Sequence, residues 1–139
     1  MTRAEELVAV CRRHDVLVLY LFGSRAGDGL ERLAGRPVEA HGSDLDIGVV
    51  FVTPHVDVHL LSSLQVALED IFEPLKVDLV PLQRVDALFQ FEAVSVHRVF
   101  EADSTRADEY ELLVMRRAAE LMPVQRRMER ELFGFGGPR

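Results

Sequence analysis

The sequence of 139 residues contains a single cysteine, Cys11, and no tryptophan. One cysteine excludes an internal disulfide framework and a cysteine-based zinc cage, and it suits a reducing compartment. The longest apolar stretches fall far short of the roughly 18 residues that a membrane span requires. The N-terminus has the pattern of an acidic helix and not that of a basic leader followed by an apolar run. We therefore expect a cytoplasmic protein that does not cross a membrane.

Basic residues are in the minority. The chain has 16 Lys and Arg against 23 Asp and Glu, which gives a formal net charge of −7. No basic stripe runs along the sequence, so direct binding of nucleic acid is not expected. Hydrophobic residues make up 48% of the chain, and this length accommodates one domain with a core. We expect a single domain over residues 1–139.

Local patterns predict helices and strands that alternate along the chain. The spacing of apolar residues and the capping signals predict helices over about residues 2–14, 58–72, 84–91 and 103–130. Short apolar runs predict strands at about residues 16–22, 44–52, 76–80 and 94–101. This order is typical of an α+β fold in which helices flank a small mixed sheet.

Three segments interrupt these patterns. Residues 26–42 contain scattered glycines and no sustained period, so a loop with at most a helical turn near residues 30–34 is predicted. Pro123 predicts a kink or break in the last helix. The glycine-rich tail, residues 132–139, is expected to be flexible.

Three separated aspartates carry most of the chemical information. Asp44 and Asp46 are two residues apart in a predicted strand, so their side chains share one face. Two carboxylates about 7 Å apart along a strand repel each other unless a cation lies between them. Asp78 lies within another apolar strand, and its carboxylate joins the same cluster if the two strands pair. Such a cluster can hold two Mg²⁺ ions for in-line displacement at phosphorus.

A short polar turn complements the acidic residues. Gly23, Ser24 and Arg25 follow the first predicted strand directly. Gly23 permits a tight turn, the turn amides and the Ser24 hydroxyl can bind phosphate oxygens, and Arg25 can neutralise their charge. The three residues are therefore predicted to bind a nucleoside triphosphate.

The ordered motifs LFGSRA (21–26), SDLDIGVVF (43–51) and KVDLV (76–80) resemble those of the nucleotidyltransferase superfamily that includes DNA polymerase β. Within that superfamily, the chain is similar to the minimal nucleotidyltransferase (MNT) antitoxins, over about residues 5–130. The resemblance implies a polymerase-β-like fold. It also implies an enzyme that transfers AMP from ATP to a tyrosine hydroxyl of a cognate HEPN-domain RNase toxin.

The resemblance also implies a role for each matching residue. Asp44 and Asp46 would bind both Mg²⁺ ions, whereas Asp78 would bind the catalytic ion and help to deprotonate the attacking hydroxyl. Gly23 and Ser24 would hold the β and γ phosphates of ATP.

The chain departs from the family pattern between the serine and the first aspartate. Residues 25–43 form a longer connection than the family usually has, and this segment is expected to overhang the site. Gly27 stands where the family often has a second arginine. Arg32 or Arg36 from the longer segment is expected to replace that arginine.

Two other functions remain open at this point. One is a small-molecule nucleotidyltransferase of the aminoglycoside type, although such enzymes usually carry a further domain for the acceptor. The other is a non-catalytic antitoxin that neutralises its partner by binding alone.

Overall fold

The computed structural model describes the backbone of residues 1–133 and the side chains of residues 1–122 and Arg127. The helices are α1 (Arg3–Arg13), α2 (Ala26–Leu33), α3 (Val58–Phe72), α4 (Ala87–Val94) and α5 (Ser104–Phe133). The strands are β1 (Val16–Phe22), β2 (Leu45–Phe51), β3 (Val77–Pro81) and β4 (His97–Glu101). A single 3₁₀ turn, Leu82–Arg84, follows β3.

Side-chain caps fix the starts of two helices, as the sequence predicts. At α1, the Thr2 hydroxyl accepts from the backbone N–H of Glu5, and the Glu5 side chain reaches back to complete a capping box. At α3, the Asp57 carboxylate accepts from two backbone N–H groups of the first turn. These caps satisfy amide groups that have no partner within the helix.

The strands form one mixed sheet in the order β3-β2-β1-β4. The inner strand β1 runs antiparallel to both of its neighbours, β2 and β4, whereas β2 and β3 run parallel to each other. All seven residues of β1 are buried, because helices cover both faces of the sheet. One end of the sheet therefore brings together the end of β1 and the starts of β2 and β3.

Two apolar clusters lie on opposite faces of the sheet. On one face, residues of α1 and α3 pack against the sheet, among them Leu7, Leu64 and Leu68. On the other face, residues of α4 and α5 pack against it, among them Val94 and Val114. Alternation along β2 directs Leu45 and Ile47 into the first cluster and leaves Asp46, between them, on the opposite face.

The structure differs from the sequence-based expectations in three elements. The segment predicted as a loop begins with the two-turn helix α2. The predicted strand at residues 94–101 is shorter, because α4 ends only at Val94 and β4 begins at His97. The expectation of a break at Pro123 is wrong, since α5 is continuous over Ser104–Phe133. Most of the tail predicted to be flexible, residues 134–139, lies outside the described residues.

No helix within residues 1–133 combines the length and apolar character that crossing a bilayer demands.

Candidate active site

The pairing of β2 with β3 brings two of the three predicted acidic residues together. In the parallel register, Asp46 lies opposite Asp78, and Leu45 lies opposite Val77. Asp44 immediately precedes β2, at the same end of the sheet. Asp46 is half-buried, whereas Asp44 and Asp78 are exposed to solvent. The cluster therefore opens at the end of the sheet rather than inside the core.

The electrostatic environment of Asp46 is unfavourable to its negative charge. Partial burial raises the pKa of the Asp46 carboxyl above its ordinary value, and the charge of Asp78 together with its side-chain contact raises the pKa further. The charges of Asp44 and Glu92 act in the same direction. A cation bound here would offset the repulsion between these carboxylates.

Glu92 belongs to this acidic environment, and sequence reasoning missed it. It lies on α4 and is exposed. No local pattern distinguishes it from an ordinary surface glutamate, because its nearness to Asp46 depends on how α4 packs beside the sheet. Only the assembled fold places its charge near the site.

The polar turn after β1 lies directly against Asp46. Phe22, the last residue of β1, pairs with Asp46 in the sheet. Gly23 follows with a φ of +75°, and a Cβ at this residue would lie 2.2 Å from Oδ2 of Asp46. The Ser24 hydroxyl forms a hydrogen bond with that of Ser43, with 2.9 Å between the two oxygens. The turn, the acidic pair and the start of β2 thus share one site.

Arg25 does not point its charge into this site. Its side chain is buried, with 8% of the residue exposed. The guanidinium donates from Nε to Oδ2 of Asp28 at 2.7 Å. It also donates to three backbone carbonyls: from Nη1 to those of His41 and Ser43, at 3.0 and 3.1 Å, and from Nη2 to that of Glu39. These contacts hold the segment before β2 against the start of α2. They engage the guanidinium away from the turn, and the contact of Arg25 with phosphate stays a prediction.

The two arginines expected to replace the missing family arginine are also engaged elsewhere. Arg32 donates to the carbonyls of Glu73 and Arg36, at 2.7 and 2.9 Å. Arg36 forms an exposed ion pair with Glu31. The structure therefore gives no support to the expectation that either side chain contacts phosphate.

A cavity of about 350 Å³ adjoins Asp44. Its walls come from the segment before β2 and from the residue before β3 and are formed by Ala40, His41, Gly42, Ser43, Asp44 and Lys76. Ser43 connects this cavity to Ser24 through the hydroxyl–hydroxyl hydrogen bond. The cavity thus adjoins the site at Asp44 and Ser43.

A preformed metal centre is not apparent in the described part of the chain. Within it, no three histidine, cysteine, aspartate or glutamate side chains are grouped so that they could hold a metal ion together. Asp46 and Asp78 are in contact, whereas Asp44 influences Asp46 through its charge. The structure thus assembles two of the three predicted carboxylates and leaves the third nearby.

The sequence matches the family described as polymerase beta, nucleotidyltransferase over residues 5–105, which is more than half of the chain. The chain belongs to this nucleotidyltransferase family. No curated protein matches it. The predicted α+β polymerase-β-like fold is confirmed by the family match and by the architecture of the sheet and helices.

Solved structures with the same fold come from toxin–antitoxin complexes. One is the complex of a tri-AMPylated Shewanella oneidensis HEPN toxin with an MNT antitoxin (15% identity, 94% of this chain and 95% of that chain covered, TM-score 0.65). A second is a toxin–antitoxin with AMP-PNP (18% identity, 92% and 90% covered, TM-score 0.56). A third is the toxin–antitoxin MntA–HepT (17% identity, 93% and 89% covered, TM-score 0.54). At these identities, the likeness shows a shared fold.

In this nucleotidyltransferase, then, the polar turn and the acidic pair predicted from sequence lie side by side. Gly23 lies so close to Asp46 that a Cβ would not fit between them, and Asp46 lies opposite Asp78. Asp44 lies at the rim, and Arg25 is buried behind the turn. Among the described residues, the exposed groups at this end of the sheet include the turn and the carboxylates of Asp44 and Asp78, and a cavity lies beside them.

Proposed function

We propose that this nucleotidyltransferase is an MNT-type antitoxin that transfers AMP from ATP to a tyrosine hydroxyl of a HEPN-domain RNase toxin. The observation that carries the proposal is the contact of Asp46 with both Asp78 and the Gly23–Ser24 turn, in a chain of the polymerase beta nucleotidyltransferase family. Similar folds occur in HEPN–MNT complexes, one with a tri-AMPylated toxin and another with AMP-PNP. Those structures support the class of partner and the nucleotide.

The carboxylates of the site suit a hard divalent cation. Oxygen donors are the ligands that Mg²⁺ prefers. Burial and the neighbouring acidic charges raise the pKa of Asp46 above its ordinary value, and a bound cation would offset both effects. Asp46 and Asp78 would hold Mg²⁺, and Asp44 would complete the set for a second ion. When bound, Mg²⁺ polarises the α-phosphate and stabilises the charge of the departing pyrophosphate.

The proposed transfer is an in-line displacement at the α-phosphorus. The tyrosine Oη forms a bond to that phosphorus, the bond to the bridging oxygen of the β-phosphate breaks, and pyrophosphate leaves with the electron pair. Asp78 accepts the hydroxyl proton on a carboxylate oxygen. The amides of the Gly23–Ser24 turn and the Ser24 hydroxyl bind the β and γ phosphates, so that the breaking bond stays aligned with the attacking oxygen.

The experiment that tests the proposal is co-expression with the protein encoded in the neighbouring reading frame, which we expect to be a HEPN-domain protein. We expect the intact mass of that protein to increase by whole AMP units, and proteolytic mapping to locate the additions on tyrosine. A HEPN protein that is bound and neutralised without any increase in mass would contradict AMP transfer. A panel of aminoglycosides offered with labelled ATP tests the small-molecule alternative in parallel.

One observation favours a second candidate, an antitoxin that acts by binding alone. No three metal-binding side chains are grouped within the described residues, so the site has no preassembled metal centre there. Replacement of Asp44, Asp46 and Asp78 by asparagine distinguishes the two candidates. A catalytic antitoxin loses neutralisation of the toxin, whereas a binding antitoxin keeps it.

A further inference from the structure

The charge balance of the site leaves one requirement unfilled if the proposed function holds. A nucleoside triphosphate brings several negative charges to a place where Asp44, Asp46, Asp78 and Glu92 already contribute theirs. Enzymes that transfer phosphoryl groups supplement their metal ions with a lysine or arginine on the phosphates. This chain therefore needs a cationic side chain at the end of the sheet.

The three arginines in and beside α2 do not meet this requirement. Arg25 is buried and distributes its donors over Asp28 and three backbone carbonyls. Arg32 donates to two backbone carbonyls, and Arg36 is paired with Glu31. Each of these guanidinium groups would have to abandon its present partners in order to contact a phosphate.

Lys76 is placed differently. It is the single lysine of the chain, directly precedes β3, and is exposed. Its carbonyl accepts from the backbone N–H of Leu45 at 2.8 Å, which fixes the residue beside Asp44 at the starts of the two parallel strands. Among the residues that the structure describes, its ammonium group takes part in no ion pair. Lys76 therefore has a fixed backbone and a side chain that is available to a ligand.

Lys76 and Ser43 line the same cavity beside Asp44. Lys76 is the one lysine or arginine among the described residues that line it. Ser43, another lining residue, is hydrogen-bonded to Ser24 of the turn. In the sheet, β2 separates β1 from β3, so the turn and Lys76 flank the acidic pair at a separation of about 10 Å in the hydrogen-bonding direction. A polyphosphate together with a four-carbon side chain can span that separation.

We propose, on the basis of the proposed function, that Lys76 binds the phosphate chain of the nucleotide from the β3 side of the site. The Gly23–Ser24 turn binds the same chain from the β1 side, and the buried Arg25 holds the segment between them in place. This arrangement assigns to Lys76 the charge neutralisation that the sequence pattern assigns to Arg25.

The first test measures the binding of nucleotides to the whole chain by calorimetry in the presence of Mg²⁺. We expect Lys76→Met to weaken the affinity for AMP-PNP about tenfold to a hundredfold, the usual effect of losing a hydrogen bond to a charged group. Lys76→Arg should keep most of the affinity, and both variants should bind adenosine like the wild type. Arg13→Met removes an exposed cation of α1 and serves as the matched control, with unchanged affinity.

The second test uses the uniqueness of the lysine. An amine-acylating reagent can modify one ε-amino group in this chain, and peptide mapping separates that product from modification of the α-amino group. We expect saturating AMP-PNP to slow acylation of Lys76 at least about tenfold, because a ligand concentration well above the Kd leaves few sites free. Adenosine should give no protection.

The outcomes separate the inference from the function on which it rests. If the wild type binds AMP-PNP and Lys76→Met binds it equally well, or if AMP-PNP leaves acylation unchanged, the assignment of Lys76 is overturned while the proposed function stands. If the wild type binds no AMP-PNP and modifies no HEPN partner, the proposed function fails and the assignment fails with it.

Discussion

Gly23 lies against the carboxylate of Asp46, so close that a Cβ on the glycine would come within 2.2 Å of Oδ2. Gly23 also has a φ of +75°, a conformation that L side chains rarely adopt. Both features follow from one requirement, since the turn has to pass beside the acidic pair if its amides are to face the same ligand. The glycine and the aspartate are therefore coupled through space, although the motifs that contain them are separated in the sequence.

A methyl group at residue 23 tests this coupling. We expect Gly23→Ala to lower the free energy of unfolding by about 1–3 kcal/mol, because alanine is strained at positive φ and displaces the Asp46 side chain. AMP transfer should fall by a larger factor than the loss of folded protein explains. Chemical denaturation and intact mass of a co-expressed HEPN partner measure the two effects.

Gly27→Ala is the matched control. A Cβ at Gly27 meets no atom within 4 Å, and the residue lies in α2, where alanine is favoured over glycine by roughly 0.5–1 kcal/mol. The control should be as stable as the wild type or slightly more so, and equally active. If Gly23→Ala behaved like Gly27→Ala, the close approach of the turn to Asp46 would be refuted.

The second expectation is that Arg25 stabilises the segment before β2 through its hydrogen bonds. Arg25→Gln leaves the carbonyls of Glu39, His41 and Ser43 without their donor. We expect a loss of about 1–3 kcal/mol in the free energy of unfolding, because the variant loses several hydrogen bonds of a buried charged group. Hydrogen exchange should report faster opening of residues 39–43 than in the wild type.

Arg36→Gln provides the comparison for Arg25. Its ion pair with Glu31 is exposed on both sides, and such pairs typically contribute about 0–1 kcal/mol. The variant should therefore differ little from the wild type in stability and in exchange. Equal losses in the two variants would show that Arg25 does not hold the segment.

The third expectation is a dependence of stability on pH that originates at Asp46. Its pKa is raised in the folded protein, first by burial and then by Asp78. A raised carboxyl pKa means that the folded state binds the proton more tightly than the unfolded state does. The stabilising contribution is therefore complete below the ordinary carboxyl pKa and is lost as the pH rises through the folded-state pKa, so that ionised Asp46 destabilises the protein at neutral pH.

Asp46→Asn makes this effect measurable. We expect the variant to have a higher Tm than the wild type at pH 7, and the difference between the two to shrink toward pH 4. Asp70→Asn, which removes an exposed carboxylate on α3, should show no such dependence. A difference in Tm that is constant between pH 4 and pH 7, or a less stable Asp46→Asn variant at pH 7, would contradict the assigned environment.

The fourth expectation concerns divalent cations. If Asp46 and Asp78 hold Mg²⁺, millimolar MgCl₂ should raise the Tm of the wild type, because a ligand that binds the folded state alone stabilises it. The Asp46→Asn and Asp78→Asn variants should lose most of this increase, and Asp70→Asn should keep it. An increase of the same size in all four proteins would indicate non-specific binding of the cation.

Local patterns in the sequence were sufficient where a residue's environment is set by its near neighbours. The strand β1 has the predicted bounds, residues 16–22, since a continuous apolar run is typical of a strand buried on both faces. The helix α3 begins after Asp57, as its capping side chain predicts. By contrast, the register of Asp46 with Asp78 is a pairing between distant segments. The sequence alone predicts that the two carboxylates meet only if these two strands pair.

The helix α2 shows why glycine misleads a local reading. Scattered glycines, Gly29 among them, and the lack of a sustained apolar period predict a loop over residues 26–42. In the fold, a Cβ at Gly29 would lie 2.8 Å from Leu21 and 3.0 Å from Leu45. The glycine thus permits close packing of the helix on the sheet, and this packing outweighs the low helix propensity of glycine.

Arg25 shows a similar limit for the site. Its place in the motif, next to Ser24, suggested a ligand for phosphate. Its partners are carbonyls that lie 14 to 18 residues further along the chain, and no local pattern predicts how that segment folds back. The same folding makes the cavity in which Lys76 lies beside Asp44.

The most direct test of the central claim is the intact mass of the HEPN partner after co-expression with a variant that carries both Asp46→Asn and Asp78→Asn. The wild type and Asp70→Asn should both produce a partner that carries AMP. The double variant should remain folded, bind the partner and leave its mass unchanged. AMP additions on the partner at wild-type levels with the double variant would contradict the account.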